Sequence, residues 1–368
     1  MTKFSSKLLK MNATQMNKQQ GFTLVELMVS LALSLIVIGA AVSALLVSRQ
    51  GFTSVDAASQ LRDNARFATD FITRLSVQSG FKDALFVDTA AQNQFKAVGV
   101  AADPDPPVFG FNNAVIGTAT DPLNTTSESR DTKCPAIDGT ACANGSDILV
   151  LRYQVGAKNT ESLLGGVEVD NAMFNCAGTP QSRTAGTSDD VIESILYVSM
   201  NAGTKEPSLM CKYKESTGAT WAPKPTPLVE GVESFQVLYG TDAVVPGTVP
   251  VARAAPGAAP TAAQPDTIPE RYLRADQLTV AGNDSATKEN WRRVRSLRIG
   301  LIIRGPAGSA QDRGTTLPLT PLGPAFADGA DKQSSFVQIP LSGVANTGDG
   351  RLRQVVTFTV YLHNQESI

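Results

Sequence analysis

One long hydrophobic run near the N-terminus limits the possible folds of this chain more strongly than any other feature. Residues 22–47 contain a single charged residue, Glu26. A run of this length exceeds the roughly 20 apolar residues with which a helix crosses the hydrocarbon core of a bilayer. The sequence therefore predicts one membrane-spanning helix at this position.

The residues before the run distinguish it from a secretory signal peptide. A signal peptide is cut after a shorter apolar region, at small residues of the A-x-A kind. Here the small residue Gly21 precedes the apolar run, and the segment before it carries four lysines and no acid: Lys3, Lys7, Lys10 and Lys18. A cut after Gly21 would remove the basic leader and leave the hydrophobic helix attached to the mature protein.

Residues 21–27 read Gly-Phe-Thr-Leu-Val-Glu-Leu, behind a short basic leader and before an uninterrupted apolar run. This combination resembles the N-terminal signature of type IV prepilins and of the related pseudopilins of type II secretion. In that family a membrane-bound prepilin peptidase cuts after the glycine and methylates the new N-terminus. The resemblance implies that residues 1–21 are a leader peptide, that Gly21 precedes the cut and that Phe22 is the methylated first residue.

Glu26 needs a structural role, because an ionised carboxylate inside a lipid-embedded helix costs roughly 2.5–3.5 kcal/mol or more on insertion scales. Thr23 and Glu26 have the spacing of a capping box, and an acid in the first turn suits the positive end of the helix dipole. Cleavage would also create an amine at Phe22, with which Glu26 of a neighbouring filament subunit can pair. This pairing resembles the role of the glutamate in pilins. The two roles are compatible, and we favour pairing.

The helical pattern continues beyond the apolar run. Small and apolar residues recur at spacings of three and four from Phe52 to Leu75, and no proline interrupts residues 22–79. The pattern predicts one helix over 22–79. Its first half belongs in lipid or in a filament core, its second half packs on a globular head, and Gly80 is a candidate C-terminal stop.

Residues 80–368 predict a β-rich head. Short runs of β-branched and aromatic residues read as strands at 147–155, 191–198, 209–213, 232–239, 294–303 and 355–361. Residues 101–128 and 243–268 are rich in turn-forming and small residues and read as surface insertions. A helix followed by strands predicts an α+β fold in which an antiparallel sheet packs on the helix.

Three segments of the head carry a second resemblance. The first, residues 147–153, reads Asp-Ile-Leu-Val-Leu-Arg-Tyr. The second, residues 228–240, reads Leu-Val-Glu-Gly-Val-Glu-Ser-Phe-Gln-Val-Leu-Tyr-Gly. The third, residues 291–300, reads Trp-Arg-Arg-Val-Arg-Ser-Leu-Arg-Ile-Gly. With the closing Val-Thr-Phe-Thr-Val strand they resemble the PilW family of minor type IV pilins, which implies a type IV pilin-like fold. At His363 the chain departs from the arginine that the family pattern leads us to expect.

The four cysteines are Cys134, Cys142, Cys176 and Cys211. None forms a C-x-x-C pair, so thioredoxin-like and zinc-ribbon sites lack their spacing. In an exported head an even number of cysteines favours disulfides over free thiols. Closeness in sequence favours Cys134–Cys142 and Cys176–Cys211, although four cysteines allow three connectivities.

Catalytic and metal sites find little support in the sequence. His363 is the only histidine, and no G-x-S-x-G, Walker A or G-x-G-x-x-G pattern occurs. Three acidic clusters lack EF-hand spacing and read as turns in preference to calcium sites: Asp103/Asp105, Asp189/Asp190 and Asp328/Asp331. We expect no enzymatic activity, cofactor or metal.

A run of arginines forms the strongest basic segment. Its members are Arg292, Arg293, Arg295, Arg298 and Arg304. We interpret them first as the solvated edge of a sheet, second as a contact for another pilin and third as a DNA-binding patch. Loss of residues 1–21 changes the count from 32 basic and 34 acidic residues to 28 and 34, and this acidic balance also disfavours nucleic acid as a partner.

The resemblance predicts a minor pilin, held in the inner membrane with its head in the periplasm and later inserted into a surface pilus. Its expected partners are other minor pilins, the major pilin, the prepilin peptidase, the inner-membrane assembly platform and membrane lipid. It would prime assembly at the pilus tip and support twitching motility, adhesion or DNA uptake. The alternatives are a type II secretion pseudopilin and a tip adhesin or DNA-binding module; a membrane-anchored enzyme ranks last.

Overall fold

The chain divides into two compact units, Met1–Phe52 and Thr53–Ile368. The computed structural model describes residues 21–81, 105–114, 116–117, 122–123, 146–154, 157–158, 168–169, 173–179, 191–214, 225–252, 254, 258–259, 261, 264–310, 319–323 and 350–365. The first unit contains the N-terminal part of a long helix. The second, here called the head, contains the rest of that helix and the β-structure.

Helix α1 spans Leu24–Gln78. Thr23 caps its N-terminus, since the backbone N–H of Glu26 donates to Thr23 Oγ1 at 3.3 Å and satisfies one of the orphan donors of the first turn. Within the described ranges, α1 is the one helix long and apolar enough to cross a membrane, and none of its most apolar stretch is buried.

The end of α1 is held by two parts of the head. Gly80 takes a positive φ of 80°, typical of the residue that terminates a helix, and its N–H donates to the carbonyl of Arg152 at 2.9 Å. From the other side, Asn364 Nδ2 donates to the carbonyl of Val77 at 2.8 Å. The helix end is therefore bonded both to a strand and to the C-terminal segment.

The described residues form eleven strands in three antiparallel sheets. The strands are β1 Val108–Phe111, β2 Ile148–Gln154, β3 Ala157–Lys158, β4 Glu168–Val169, β5 Val191–Met200, β6 Pro207–Tyr213, β7 Thr226–Glu230, β8 Val232–Thr241, β9 Arg271–Leu273, β10 Val294–Arg304 and β11 Arg353–Tyr361. Sheet 1 has five strands in the spatial order β1-β2-β5-β6-β7. Sheet 2 has four, in the order β11-β10-β8-β9. Strands β3 and β4 form a separate pair.

A single residue, Gly231, connects the two sheets between β7 and β8. Its φ is 82°, and a Cβ placed on it would lie 2.5 Å from the carbonyl oxygen of Arg304. The Gly231 N–H donates to Pro207 O, and its carbonyl accepts from Arg304 N. Only glycine suits this corner, because the backbone is left-handed and another strand passes against it.

One hydrophobic core joins the helix and both sheets of the head. Helix α1 contributes Leu61, Ala65, Ala68, Ile72 and Leu75, which are spaced three or four residues apart as one helical face requires. Sheets 1 and 2 contribute the inward side chains of their strands. The predicted α+β fold, with antiparallel sheets packed on the second half of the helix, is confirmed.

Local predictions differ from the structure at several places. The segment 101–128 was predicted to be a surface insertion, but it contains β1, whose Val108 is fully buried. The prediction failed because the strand has only four residues, Val-Phe-Gly-Phe, and the Pro and Asp residues before it are typical of loops. Strands β7 and β9 and helix α2, Asp284–Arg292, were also not predicted. In the other predicted insertion, Val245, Val249 and Ile268 are exposed.

Candidate assembly site

The residues predicted to act in processing and assembly lie together at the N-terminal end of α1. Gly21 and Phe22 lie immediately before α1, and Phe22 is 86% exposed. Glu26 lies in the first turn with an exposed side chain, while its backbone N–H is used by Thr23. The cap thus involves the backbone of Glu26 and leaves its carboxylate directed to the surroundings of the helix.

The N-terminal part of α1 is apolar on every side. All large hydrophobic side chains between residues 22 and 47 are exposed, and the least exposed of them, Val42, is still 49% accessible. A helix of this kind requires an apolar environment around its whole circumference, either lipid or other helices.

Hydroxyl groups within this apolar part are satisfied by the helix itself. Ser30 Oγ donates to Leu27 O at 2.9 Å, Ser34 Oγ donates to Ser30 O at 2.7 Å, and Ser43 Oγ donates to Gly39 O. Polar groups without a partner would cost several kcal/mol in hydrocarbon. The serines are therefore compatible with a lipid or filament-core environment.

The arginine run does not form a solvated sheet edge, so our first interpretation of it was wrong. It ends in β10, which lies between β11 and β8 in the interior of sheet 2. Arg293 and Arg295 are buried, at 2% and 5% exposure. Arg295 donates from Nε and Nη2 to the buried carboxylate of Asp242, both at 3.2 Å.

The other members of the run are also engaged within the chain. Arg292 forms an ion pair with Glu289 at 3.6 Å. Arg298 donates twice to the carbonyl of Leu322. Sequence reasoning missed Asp242 and the Leu322 carbonyl because they come from other elements, and it missed Glu289 because helix α2 was not predicted. The run offers no basic surface of the kind that binds DNA phosphates.

A network of five charged residues joins the two sheets; we call it the corner network. Arg304 donates to Glu206 at 2.7 Å and to Glu233 at 3.1 Å. Arg351 also contacts Glu206, at 3.1 Å, and Arg353 contacts Glu233, at 2.6 Å. Glu206 precedes β6 of sheet 1, whereas the other four residues belong to sheet 2 or lead into it. Because Glu233 is fully buried, its two arginines compensate a charge that would otherwise be strongly destabilising.

Of the six acidic residues named from the sequence as possible calcium ligands, the structure describes only Asp105. Asp105 forms ion pairs with Arg152 and Lys288, and the other members of the three clusters lie outside the described residues. The structure instead brings Asp242, Asp266 and Glu270 within 4.8 Å of one another. Asp242 accepts the backbone N–H groups of Asp266 and Thr267, both at 2.9 Å. These two N–H groups and the Arg295 guanidinium together occupy the Asp242 carboxylate. Asp242 therefore anchors the loop that contains Asp266 and Thr267.

A groove of about 380 Å³ lies between β1 and α2. Phe109 and Trp291 pack edge to face on one wall, and Arg152 stacks over the Phe109 ring at 4.8 Å. On the rim, burial would lower the pKa of Lys288, but hydrogen bonds and charge from Asp105 and Asp284 raise it overall. These charges compensate one another, so the groove presents no evident charge to a ligand.

The structure contains a disulfide between Cys176 and Cys211, with an S–S distance of 2.03 Å and a Cα–Cα distance of 5.6 Å. Both residues belong to the common core. Cys134 and Cys142 lie outside the described residues, and their pairing stays a prediction. His363 is exposed at the start of a 3₁₀ turn, His363–Gln365, which follows β11.

The sequence matches two family profiles in the regions that these features occupy. Residues 16–42 match the Prokaryotic N-terminal methylation motif, and residues 195–364 match the profile described as Type IV Pilus-assembly protein W, PilW. The second match covers 170 of the 368 residues, so the C-terminal part of the chain is similar to the PilW family. The first match contains Gly21, Phe22, Thr23 and Glu26; the second begins within β5 and contains strands β6 to β11 and the corner network.

Among solved structures, the type IV-like pilin TTHA1219 from Thermus thermophilus is similar to this chain, with 13% sequence identity and a TM-score of 0.31. The similarity covers 83% of this chain and 97% of that one. No curated protein sequence matches the chain.

Two of the head segments that resemble PilW proteins lie within the profile match, and the structure shows what their residues do. In the segment 228–240, Gly231 forms the corner between the sheets and Glu233 is the buried centre of the corner network. In the segment 291–300, Trp291 packs edge to face on Tyr239 with ring centroids 4.7 Å apart. Gly300 lies against the Pro321 carbonyl, where a Cβ would approach the oxygen to 2.3 Å. The residues that carried the resemblance therefore build the scaffold of the head.

Proposed function

We propose that this protein is a minor pilin, a non-enzymatic subunit of a type IV pilus that is cut after Gly21. The supporting observation is the apolar part of α1, which is hydrophobic on all sides and satisfies its own hydroxyl groups. Before assembly, residues 22–47 anchor the protein in the inner membrane with the head in the periplasm. During assembly, the same surface passes from lipid to the helices of a filament.

Glu26 makes the packing of the helix in a filament specific, because its carboxylate requires a positively charged partner. After cleavage, the methylated amine of Phe22 carries a positive charge about one helical turn from Glu26. In a filament, the exposed Glu26 carboxylate pairs with the amine of a neighbouring subunit, so that both charges are neutralised as they leave contact with water and headgroups. Thr23 caps the helix in either environment, because its hydroxyl oxygen accepts the backbone N–H of Glu26 and leaves the Glu26 carboxylate unused.

The position that we propose is the pilus tip, in a priming complex with other minor pilins. The head occupies most of the chain and contains two sheets, and a bulky subunit is accommodated more easily at the end of a filament than in its repeating shaft. In this role the protein would support pilus extension and the motility, adhesion or DNA uptake that depend on it.

Mass spectrometry of the N-terminal peptide from membrane and sheared-surface fractions tests the proposal. We expect a methylated Phe22 terminus that requires the prepilin peptidase, together with recovery of the protein in the sheared fraction beside the major pilin. An intact leader, or a cut beyond residue 47, would contradict the assignment. A processed protein whose deletion abolishes exoprotein secretion and leaves surface pili intact would instead indicate a type II secretion pseudopilin.

Substitution of Glu26 tests the pairing. The change Glu26→Ala removes the carboxylate but keeps the backbone N–H that Thr23 caps. We expect normal cleavage and membrane insertion, with at least about a tenfold loss of the protein from sheared pili, as for removal of one partner of a buried charge pair. Incorporation equal to wild type would refute the pairing.

A further inference from the structure

The outer edge of β11 forms a groove with helix α1. β11 is the terminal strand of sheet 2 in the order β11-β10-β8-β9. The groove has a volume of about 560 Å³ and is lined by residues 354–357 of β11 and by the face of α1 that includes Arg62, Ala65 and Arg66. Since four consecutive β11 residues line it, and neighbouring side chains point to opposite faces of a sheet, the groove follows the backbone edge of the strand.

The hydrogen bonds at the two ends of β11 show which backbone groups point into this groove. Leu362 N donates to Arg295 O, and Gly305 N donates to Leu352 O, both at 2.8 Å. In an antiparallel ladder the hydrogen-bonded positions alternate, so the even-numbered residues of β11 bond to β10. The odd-numbered residues, Val355 and Thr357 among them, direct their N–H and C=O groups away from β10. Within the described residues, no second strand pairs with them.

The groove also carries a positive charge. Arg62 and Arg66 are one helical turn apart and both exposed, and the described residues place no carboxylate within ion-pair distance of either. Asp70 also lines the groove, so these three side chains leave a net charge of one positive. Ala65, between the two arginines, is small and buried, and it leaves room beside the strand.

We propose that this groove accepts an extended segment of a neighbouring pilin, which adds to sheet 2 as a strand beside β11. Strand addition uses the outward N–H and C=O groups of Val355 and Thr357 for affinity. The charge of Arg62 and Arg66 selects a segment with an acidic side chain at the position that faces them. The inference rests on the proposed function, because it names a contact by which the assembled subunit joins its neighbour.

A second copy of this chain fits the groove less well. Pairing through the same edge on both copies would be isologous, and it would bring a second pair of arginines to the first. Like charges at this spacing are unfavourable. The proposal therefore commits to a different pilin as the donor of the strand.

Amide hydrogen exchange on the full-length protein tests the proposal directly. Residue-level exchange of β11 is compared between the monomer in detergent and the protein assembled with other pilins in sheared filaments. We expect the amides of Val355 and Thr357 to exchange rapidly in the monomer and at least about tenfold more slowly in the filament. The amides of Val356 and Phe358, which bond to β10, are the internal control and should be protected in both samples.

Two pairs of variants supply an independent measurement. Val355→Pro removes an outward N–H, and Val355→Ala shortens the side chain but keeps this donor. Arg66→Glu reverses a charge in the groove, whereas Arg74→Glu makes the same change at an exposed position of α1 outside it. We expect the first member of each pair to be recovered from filaments at least about fivefold less than its control. Formation of the Cys176–Cys211 disulfide, seen in the intact mass, reports that each variant has folded.

The outcomes separate this inference from the proposed function. If the protein enters filaments while the Val355 and Thr357 amides exchange as in the monomer, strand addition at β11 is wrong and the minor-pilin proposal stands. If cross-linking through residue 357 joins two copies of this chain, the partner is misidentified and the inference fails. If the protein never associates with filaments or with other pilins, both proposals are overturned.

Discussion

Gly231 is the single residue that connects β7 of sheet 1 to β8 of sheet 2, and its backbone conformation sets the turn between them. We predict that Gly231→Ala lowers the free energy of unfolding by about 2 kcal/mol or more, because it combines a left-handed conformation with a Cβ 2.5 Å from the Arg304 carbonyl oxygen. Urea unfolding of the full-length protein in detergent, followed by tryptophan fluorescence, measures the change. Gly203→Ala is the control, since its Cβ would have only an ordinary contact at 3.5 Å; equal stability of the two variants would contradict the prediction.

Asp242, like Gly231, contributes to the stability of the head, but it does so through its charge. It is fully buried, faces the Arg295 guanidinium and accepts two backbone N–H groups. We predict that Asp242→Ala destabilises the head by about 3–5 kcal/mol, because it removes the carboxylate from a buried ion pair. The same denaturation measurement on Asp276→Ala provides the comparison.

Asp276 pairs with Arg274 near the surface, where an ion pair contributes about 0–1 kcal/mol. If the two aspartate variants lost the same small amount of stability, the buried pair would be dispensable.

Individual elements were predicted from the sequence to very different degrees. The longest strands, such as β8 and β10, follow from β-branched and aromatic runs, and α1 follows from its apolar spacing. Strand β7 was missed because Thr226-Pro-Leu-Val-Glu230 is short and contains proline. Helix α2 was missed because it is short and polar; Asn283, whose side chain accepts the N–H of Ala286, caps it.

The charged residues show a second limit of sequence reasoning. Arg295 and Asp242 are 53 residues apart, and Arg304 and Glu206 are 98 residues apart. Local patterns predict neither pair, because the contacts depend on the order of strands in the sheets. The N-terminal processing and assembly residues could be proposed from sequence for the opposite reason, since they lie within six consecutive positions of one motif; their role stays a prediction.

The Cys176–Cys211 disulfide links β6 to the segment 173–179. We predict that replacing both cysteines by serine lowers the free energy of unfolding by about 3–4 kcal/mol, since the bond closes a loop with a sequence separation of 35. Chemical denaturation of wild type and variant without reductant measures the difference. An unchanged midpoint would show that core packing alone holds these residues together.

The corner network makes the stability of the whole head depend on pH. Burial raises the pKa of Glu206, but Arg304 and Arg351 lower it more, and the net pKa lies below the usual 4.5. A carboxylate with a depressed pKa stabilises the folded state above about pH 4.5, and this contribution is lost as the pH falls toward the folded pKa. We therefore predict that acid weakens the link between the two sheets.

The variant Glu206→Gln tests this prediction. It should be less stable than wild type near pH 6, and the difference in unfolding free energy should shrink as the pH falls to about 3, because wild type loses the same charge by protonation. Thermal unfolding monitored by circular dichroism across this range provides the measurement. A difference that is constant with pH would mean that Glu206 acts through packing instead of charge.

The two bonds at the end of α1 have a mechanical consequence. The carbonyl of Arg152, in sheet 1, accepts the Gly80 N–H. The side chain of Asn364, in the segment that follows sheet 2, donates to the Val77 carbonyl. A pull along the helix is therefore divided between two attachment points on the head. A load shared in this way must shear both attachments at once, whereas a single attachment could be peeled away one hydrogen bond at a time.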